Sequence, residues 1–334
     1  MIAKSIANFP IKLGVYDYIF ILLLIVNFLI RIDNYNQTVQ WEDANRDYIV
    51  ARHIIKYHEF PLVGPQTTAL NIKNSPVYYY LISVPLIFND NIVSLIVINV
   101  FLQNLVLLFI YLLAKSMFNA RVGIIAVILF GFSDKIIEQS ITFHQPLVME
   151  PFAYLSYLFL VLCFKTQKYW LLLLSVFFFI FSSSIHYSIL GAAPSYLFLV
   201  LLVIRSQKQT LRQYGLTILF SLFLYLLFYS PLLIYYFSSA RDLQIVLSQK
   251  YLVSLSMISE NLVTNLKILL STFFIRLNDQ TILIVGLLLT LASLFYLLLS
   301  KLKKSLDNKY LTIIILVLVQ FLIFTSFLDL SRIH

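Results

Sequence analysis

The sequence predicts an all-α, polytopic integral membrane protein of about nine transmembrane helices with a helical first external loop. Three observations predict it. Apolar residues make up 60% of the 334 positions and charged residues only 12%, about half the roughly 25% typical of soluble domains. The charges are clustered, so that Tyr169–Ile185 and Leu219–Phe237 run without a charged side chain. The basic residues concentrate in alternate short connections, the pattern that orients a multi-span protein.

Composition also excludes other classes. Seven glycines and nine prolines cannot build a collagenous or Pro/Gly-rich disordered chain, and the low charge argues against disorder. Cys163 is the single cysteine, so neither an intrachain disulfide nor a CxxC metal or redox site can form. The net charge of +9 would suit nucleic acid only if the basic residues shared one exposed surface. They do not, and no nucleic-acid partner is expected.

The spans read as Leu13–Ile30, Ile92–Ala114, Val122–Phe132 with its flanks, Leu147–Phe164, Tyr169–Ile185, Tyr187–Ile204, Tyr214–Phe237, Thr281–Ser300 and Tyr310–Leu328. Most approach the ~20 residues that cross ~30 Å of hydrocarbon. The third is short and the fourth contains Glu150. A cytoplasmic N-terminus puts more than half of the 24 basic residues, among them Lys4, Lys12, Lys115, Arg121, Lys165 and Lys168, into short cytoplasmic connections. The apolar stretch "YIFILLLIVNFLI" has no small-residue cleavage site after it and reads as a retained anchor. The expected location is the cell membrane, with residues 1–334 forming a single membrane domain.

Two external segments are long, residues 31–91 and 238–279. Backbone in hydrocarbon must be helical, so non-repetitive chemistry belongs in such loops or in protein-lined cavities. Within the first, Trp41–Tyr57 contains no Gly or Pro and predicts a helix that stops before Pro61 and the "GP" at Gly64 and Pro65. On it Asp43, Arg46 and Asp47 stand at i, i+3 and i+4 and share a face. Two carboxylates beside a guanidinium form a candidate catalytic cluster: one accepts a proton from a hydroxyl, and Arg46 holds it or neutralises a phosphate. The plainer reading is a solvated helix face with i,i+4 pairing. Trp41, Tyr48 and Tyr57 would hold the helix at headgroup level, and Tyr78, Tyr79 and Tyr80 read as a membrane-interface aromatic belt. The sequon at Asn36 matters only in a glycosylating compartment.

The segment "DANRDYIVARHIIKYHEFPLVGP" followed by "SPVYYYLI" resembles the first-loop signature of membrane glycosyltransferases of the GT-C fold. The similarity is greatest to the prokaryotic branch of glycosyltransferase family 39, relatives of the protein O-mannosyltransferases and of the lipid A aminoarabinose transferase. "TFHQPLVMEPF" is similar to that family's Trp-Asn-Pro segment at the start of span four, with His144 and Gln145 in place of Trp and Asn. "SSIHYS" is similar to a recurrent His-containing turn and would place His186 at the external surface. The resemblance implies a catalytic carboxylate that Asp43 matches. The usual Asp-Glu order here reads Glu42-Asp43, so Glu42, Asp43 and Asp47 all stand as candidate bases. Residues 238–279 are too short for the β-trefoil insert of eukaryotic members, and family members usually carry spans beyond the ninth, which implies a C-terminally truncated fragment.

The implied reaction moves a mannose-like hexose or aminopentose from a polyprenyl-phosphate donor to an acceptor hydroxyl on a glycan, lipid or protein. It inverts the anomeric centre, occurs on the extracytoplasmic face, and uses neither cofactor nor metal. Arg46, Arg52, Lys56 and Arg276, with His144, Gln145 and His186, are the candidate substrate-binding residues. For the histidines an interfacial hydrogen-bonding role is the plainer reading, since His53 and His58, five apart, lack a metal-binding spacing. The rival class is a transporter or lipid flippase without transferase activity. Such proteins tend to show paired halves, Gly/Pro-broken spans and ionisable residues at mid-membrane; here glycine is scarce, no half resembles the other, and only Asp17 and Glu150 intrude near span ends.

Overall fold

The computed structural model describes residues 13–33, 42–66, 73–206 and 211–239. They are almost entirely helical: α1 Val15–Asp33, α2 Glu42–Tyr57, α3 Val77–Phe88, α4 Ile92–Met117, α5 Ala120–Gly131, α6 Asp134–Ile141, α7 Gln145–Thr166, α8 Tyr169–Ile185, a 3-10 turn Tyr187–Ala192, α9 Ala193–Ser206 and α10 Leu211–Ser238. Five helical stretches among the described residues are long and apolar enough to cross a membrane: Val15–Asp33, Ile92–Met117, Gln145–Thr166, Tyr187–Ile204 and Arg212–Ser238. Helices α5 and α8, the third and fifth expected spans, are shorter and apolar. The last two expected spans lie outside the described residues.

Local signals set the helix ends. Asn91 caps α4 by accepting from the Val93 N–H at 3.0 Å, and Asn119 caps α5 by accepting from Val122 at 3.1 Å. Helix α2 stops where His58 turns left-handed, φ 56°, and α7 stops where Gln167 does, φ 59°. Helices α1 and α4 run antiparallel: Asp17, at the start of α1, accepts from Tyr111 at 2.6 Å and pairs with Lys115 near the end of α4. Phe20 stacks on Tyr111 in the same corner, and Gly123 lets α5 close on it, since a Cβ there would stand 2.7 Å from the Tyr111 ring.

Three expectations are corrected. The sequence places Arg31 at the start of the external loop, but α1 continues to Asp33 and Arg31 is completely buried. Tyr78 and Tyr79 do not form an interfacial belt; they are 0% and 4% exposed, packed under α2 in the main core. The first external segment also contains a second helix, α3, which lies along α2 and buries Tyr78, Tyr79, Ile82 and Leu86.

A short pin joins the end of the α2 loop to the lead into α3. Gly64 donates to the Asn74 carbonyl at 2.8 Å, Asn74 donates to the Pro65 carbonyl at 2.9 Å, and Gln66 pairs with Lys73. Only glycine fits at position 64, because a Cβ would come within 2.3 Å of the Ser75 carbonyl oxygen. The pin in turn docks on the bundle: the Ser75 hydroxyl donates to the Phe228 carbonyl of α10 at 2.6 Å, and the Tyr187 hydroxyl donates to the Lys73 carbonyl at 3.1 Å. Helices α2 and α3 are thereby tied to the 3-10 turn that follows α8 and to α10.

Candidate functional site

Helix α2 buries the stripe Ala44, Asp47, Ala51 and Ile54 against α3. One member of this apolar stripe is a carboxylate, which must be hydrogen-bonded to be tolerated there. Asp47 meets that requirement on both oxygens. Its Oδ1 accepts from Arg46 Nε at 2.9 Å and Nη2 at 2.8 Å, and its Oδ2 accepts from the Tyr78 hydroxyl at 2.9 Å. Arg46 turns its remaining terminal nitrogen outward, where Nη1 donates to Asp43 Oδ1 at 2.6 Å. The predicted i, i+3, i+4 cluster is therefore a chain running from buried to open, with the Asp43 side chain 62% exposed and that of Asp47 3%.

Burial pushes the Asp47 carboxyl up from its ordinary value, while Arg46 and the Tyr78 hydroxyl pull it back down. Burial also works against the Arg46 cation, but the neighbouring Asp47 and Asp43 carboxylates outweigh it and raise its pKa. Arg46 thus stays charged between two carboxylates and fixes their relative position.

The lead into α7 brings His144 into the electrostatic field of Asp43 and Arg46. Burial lowers the His144 pKa, with Asp43 opposing. His186, in the turn between α8 and the 3-10 segment, is lowered to about 4 by burial and by the proximity of His144. Its Nδ1 accepts from the Ser188 backbone N–H at 3.2 Å, so the neutral imidazole carries its proton on Nε2. Gln145 opens α7 and accepts from Asn74 at 3.4 Å, tying this corner to the pin. Asp43, Arg46 and Asp47 of α2 are thus brought near His144 and Gln145 at the start of α7, with His186 after α8 in the field of His144.

The remaining expected residues are placed differently. Arg52 and Lys56 turn to Asp90 in the α3–α4 connection, at 2.9 and 3.2 Å, where Tyr48 also donates to Asp90 at 3.1 Å. This stripe ties α2 to the start of α4. Glu42 is exposed in the first turn of α2. Arg276 lies outside the described residues. Sequence reasoning missed Tyr78, whose burial is visible only once α3 is placed, and Asn74. It also missed Lys73, whose ammonium bonds the Tyr235 hydroxyl of α10. Among the described residues no three His, Cys, Asp or Glu side chains are grouped as a metal site requires.

The arrangement offers an open carboxylate to accept a proton, a fixed guanidinium beside it, and two neutral imidazoles that can donate or accept hydrogen bonds. Residues 73–235 match the family of dolichyl-phosphate-mannose-protein mannosyltransferases, just under half of the chain. The matched stretch runs from the pin to α10 and includes His144, Gln145 and His186; α2 precedes it. No curated protein matches the chain. The apolar helices and a match to a glycosyltransferase family together support a membrane glycosyltransferase.

Proposed function

We propose that the chain transfers a mannose-like hexose or an aminopentose from a polyprenyl-phosphate donor to an acceptor hydroxyl on the extracytoplasmic face, with inversion. The observation that carries the reading is the difference between the two aspartates of α2. Asp47 is buried with both oxygens engaged, whereas Asp43 is open to an incoming hydroxyl and steadied by Arg46. The family match supports the sugar-transfer chemistry, and the positive-inside pattern supports an outward-facing α2.

In the reaction the acceptor oxygen attacks the anomeric carbon as the bond to the lipid phosphate breaks, and Asp43 takes the hydroxyl proton. A carboxylate suits this role when the proton moves late, as the new bond makes the hydroxyl acidic. The leaving phosphate carries the negative charge away and is met by hydrogen-bond donors at the outer ends of α7 and α8, His186 Nε2–H and His144 among them. Arg46 holds Asp43 and adds positive potential at the same place. Arg52 and Lys56 act through Asp90 as anchors of α2, and Arg276 remains a candidate phosphate partner. The acceptor is a glycan, lipid or protein hydroxyl, the protein sits in the cell membrane with its N-terminus inside, and the short segment 238–279 favours the prokaryotic branch.

The test compares wild type with Asp43→Asn, using membranes supplied with mannosyl polyprenyl phosphate. Transfer should vanish while insertion and expression are unchanged; full transfer by the variant would reject the reading.

A further inference from the structure

Tyr78 stands out as a buried phenol that touches the proposed chemistry without being able to touch a substrate. It is 0% exposed, in the first turn of α3. Its ring lies against Phe143, centroids 6.3 Å apart, and against Tyr79 at 5.5 Å. Phe143 directly precedes His144, so one ring is packed between α3 and the segment that presents the histidine. Its hydroxyl donates to Asp47 Oδ2 at 2.9 Å, the oxygen that Arg46 does not use.

This places Tyr78 at the inner end of a chain, Tyr78 to Asp47, Asp47 to Arg46, Arg46 to Asp43, which the Tyr79 hydroxyl joins from the side through Asp47 and Arg46. Each link fixes the next. Without the Tyr78 donor, Asp47 is held by Arg46 and Tyr79 alone: it can swing about its Cβ–Cγ bond, and with fewer donors it favours the protonated acid. Either event loosens the two-nitrogen grip on Arg46, and with it the 2.6 Å contact that holds Asp43. Helix α2 alone does not supply this restraint, because Asp43 and Arg46 are both partly exposed and exposed ion pairs are weakly held.

We propose that Tyr78 is a positioning residue: by occupying the inner oxygen of Asp47 it fixes Arg46 and, through it, the open carboxylate of Asp43. The inference rests on the reading of Asp43 as the base. It assigns the second aspartate of the cluster a structural charge, not a second base, and gives α3 the task of aiming α2.

The test uses the full chain in detergent or proteoliposomes, with Tyr78→Phe, which keeps the ring and removes only the hydroxyl. Two readouts separate positioning from packing. First, the melting temperature of Tyr78→Phe should fall below wild type at neutral pH, and the gap should close as pH is lowered through the folded-state pKa of Asp47. The hydrogen bond favours the ionised carboxylate, so its contribution is present above that pKa and lost below it. In an Asp47→Asn background the pH-dependent part of the gap should disappear. Second, with mannosyl polyprenyl phosphate as donor, kcat should fall about tenfold or more while the donor KM stays within about twofold, and the acid limb should move to higher pH. A melting gap that is the same at every pH, or kinetics and an acid limb identical to wild type, would overturn the proposal. If Asp43→Asn retains full transfer, the base reading fails by itself; if Asp43→Asn is inactive and Tyr78→Phe behaves as wild type, only the positioning role of Tyr78 fails.

Discussion

Gln103 of α4 donates its side-chain amide to the Leu147 carbonyl of α7 at 2.8 Å, and Leu147 lies four residues before Pro151. Proline has no N–H to return that bond, so the carbonyl would lack its helical partner. Gln103, 1% exposed, replaces the missing donor from a neighbouring helix. Helix α10 solves the same problem locally, with the Ser230 hydroxyl donating at 3.3 Å to Leu227, four residues before Pro231.

The first prediction follows from this substitution of donors. Gln103→Leu should destabilise the folded protein by roughly 1–3 kcal/mol or more, since it leaves the Leu147 carbonyl unsatisfied and also removes a hydrogen bond to Glu150. Adding Pro151→Ala restores the helical N–H and should recover part of the loss. Thermal unfolding in detergent of the two single variants and the double variant measures it. Additive losses would argue that Gln103 serves no carbonyl.

A second prediction concerns Arg31, wholly buried on α1 with no hydrogen-bond partner for its guanidinium among the described residues, and Glu150 of α7, whose charge acts on it without a direct ion pair. The two charges partly offset the cost of burying each other. Arg31→Met and Glu150→Gln should therefore be non-additive, the double variant being more stable than the sum of the two single changes. A double-mutant cycle on the unfolding midpoint reads the coupling.

A third prediction separates two kinds of arginine on α2. Arg46 engages both aspartates through its fork, a geometry that lysine cannot reproduce, so Arg46→Lys should lower kcat by about tenfold or more. Arg52 makes a solvent-accessible pair with Asp90, and such pairs are weak and screened by water. Arg52→Gln should leave kcat within about threefold at low salt. Initial rates of sugar transfer decide; equal losses at the two positions would place Arg52 in the chemistry as well.

The fourth prediction is a pH profile. Burial holds His186 at about 4, so it stays neutral through the physiological range and should contribute no limb near the ordinary histidine value of roughly 6.5. A limb there that disappears in His186→Gln would show that His186 titrates during turnover.

Much of this architecture was legible from sequence because a membrane admits few solutions. Charge-free runs of span length must be helices, and the first seven expected spans coincide with helices α1, α4, α5 and α7–α10 and the 3-10 turn. Helix α2 was legible from its lack of Gly and Pro, and the shared face of Asp43, Arg46 and Asp47 from helical spacing alone. Helix α3 was not, since "VYYYLISVPLIF" has no amphipathic period, holds Pro85 inside, and reads as the approach to the next span. The burial of Tyr78 depends on α2 lying over it, which no local pattern records. A charge ordinarily marks a span end, so the sequence places Arg31 in the loop; the rule fails because α1 runs on to Asp33 and buries it, with the Glu150 charge of α7 acting on it. Arg52 and Lys56 were grouped with Asp43 by sign and side, whereas their partner Asp90 lies 38 residues beyond Arg52.

The central claim is that the open carboxylate of Asp43 removes the acceptor proton during sugar transfer. Its most direct measurement is single-turnover transfer from mannosyl polyprenyl phosphate by purified Asp43→Asn, at matched folding and donor occupancy. The account predicts that the donor binds with unchanged affinity and that the chemical step is lost; single-turnover transfer at the wild-type rate would contradict it.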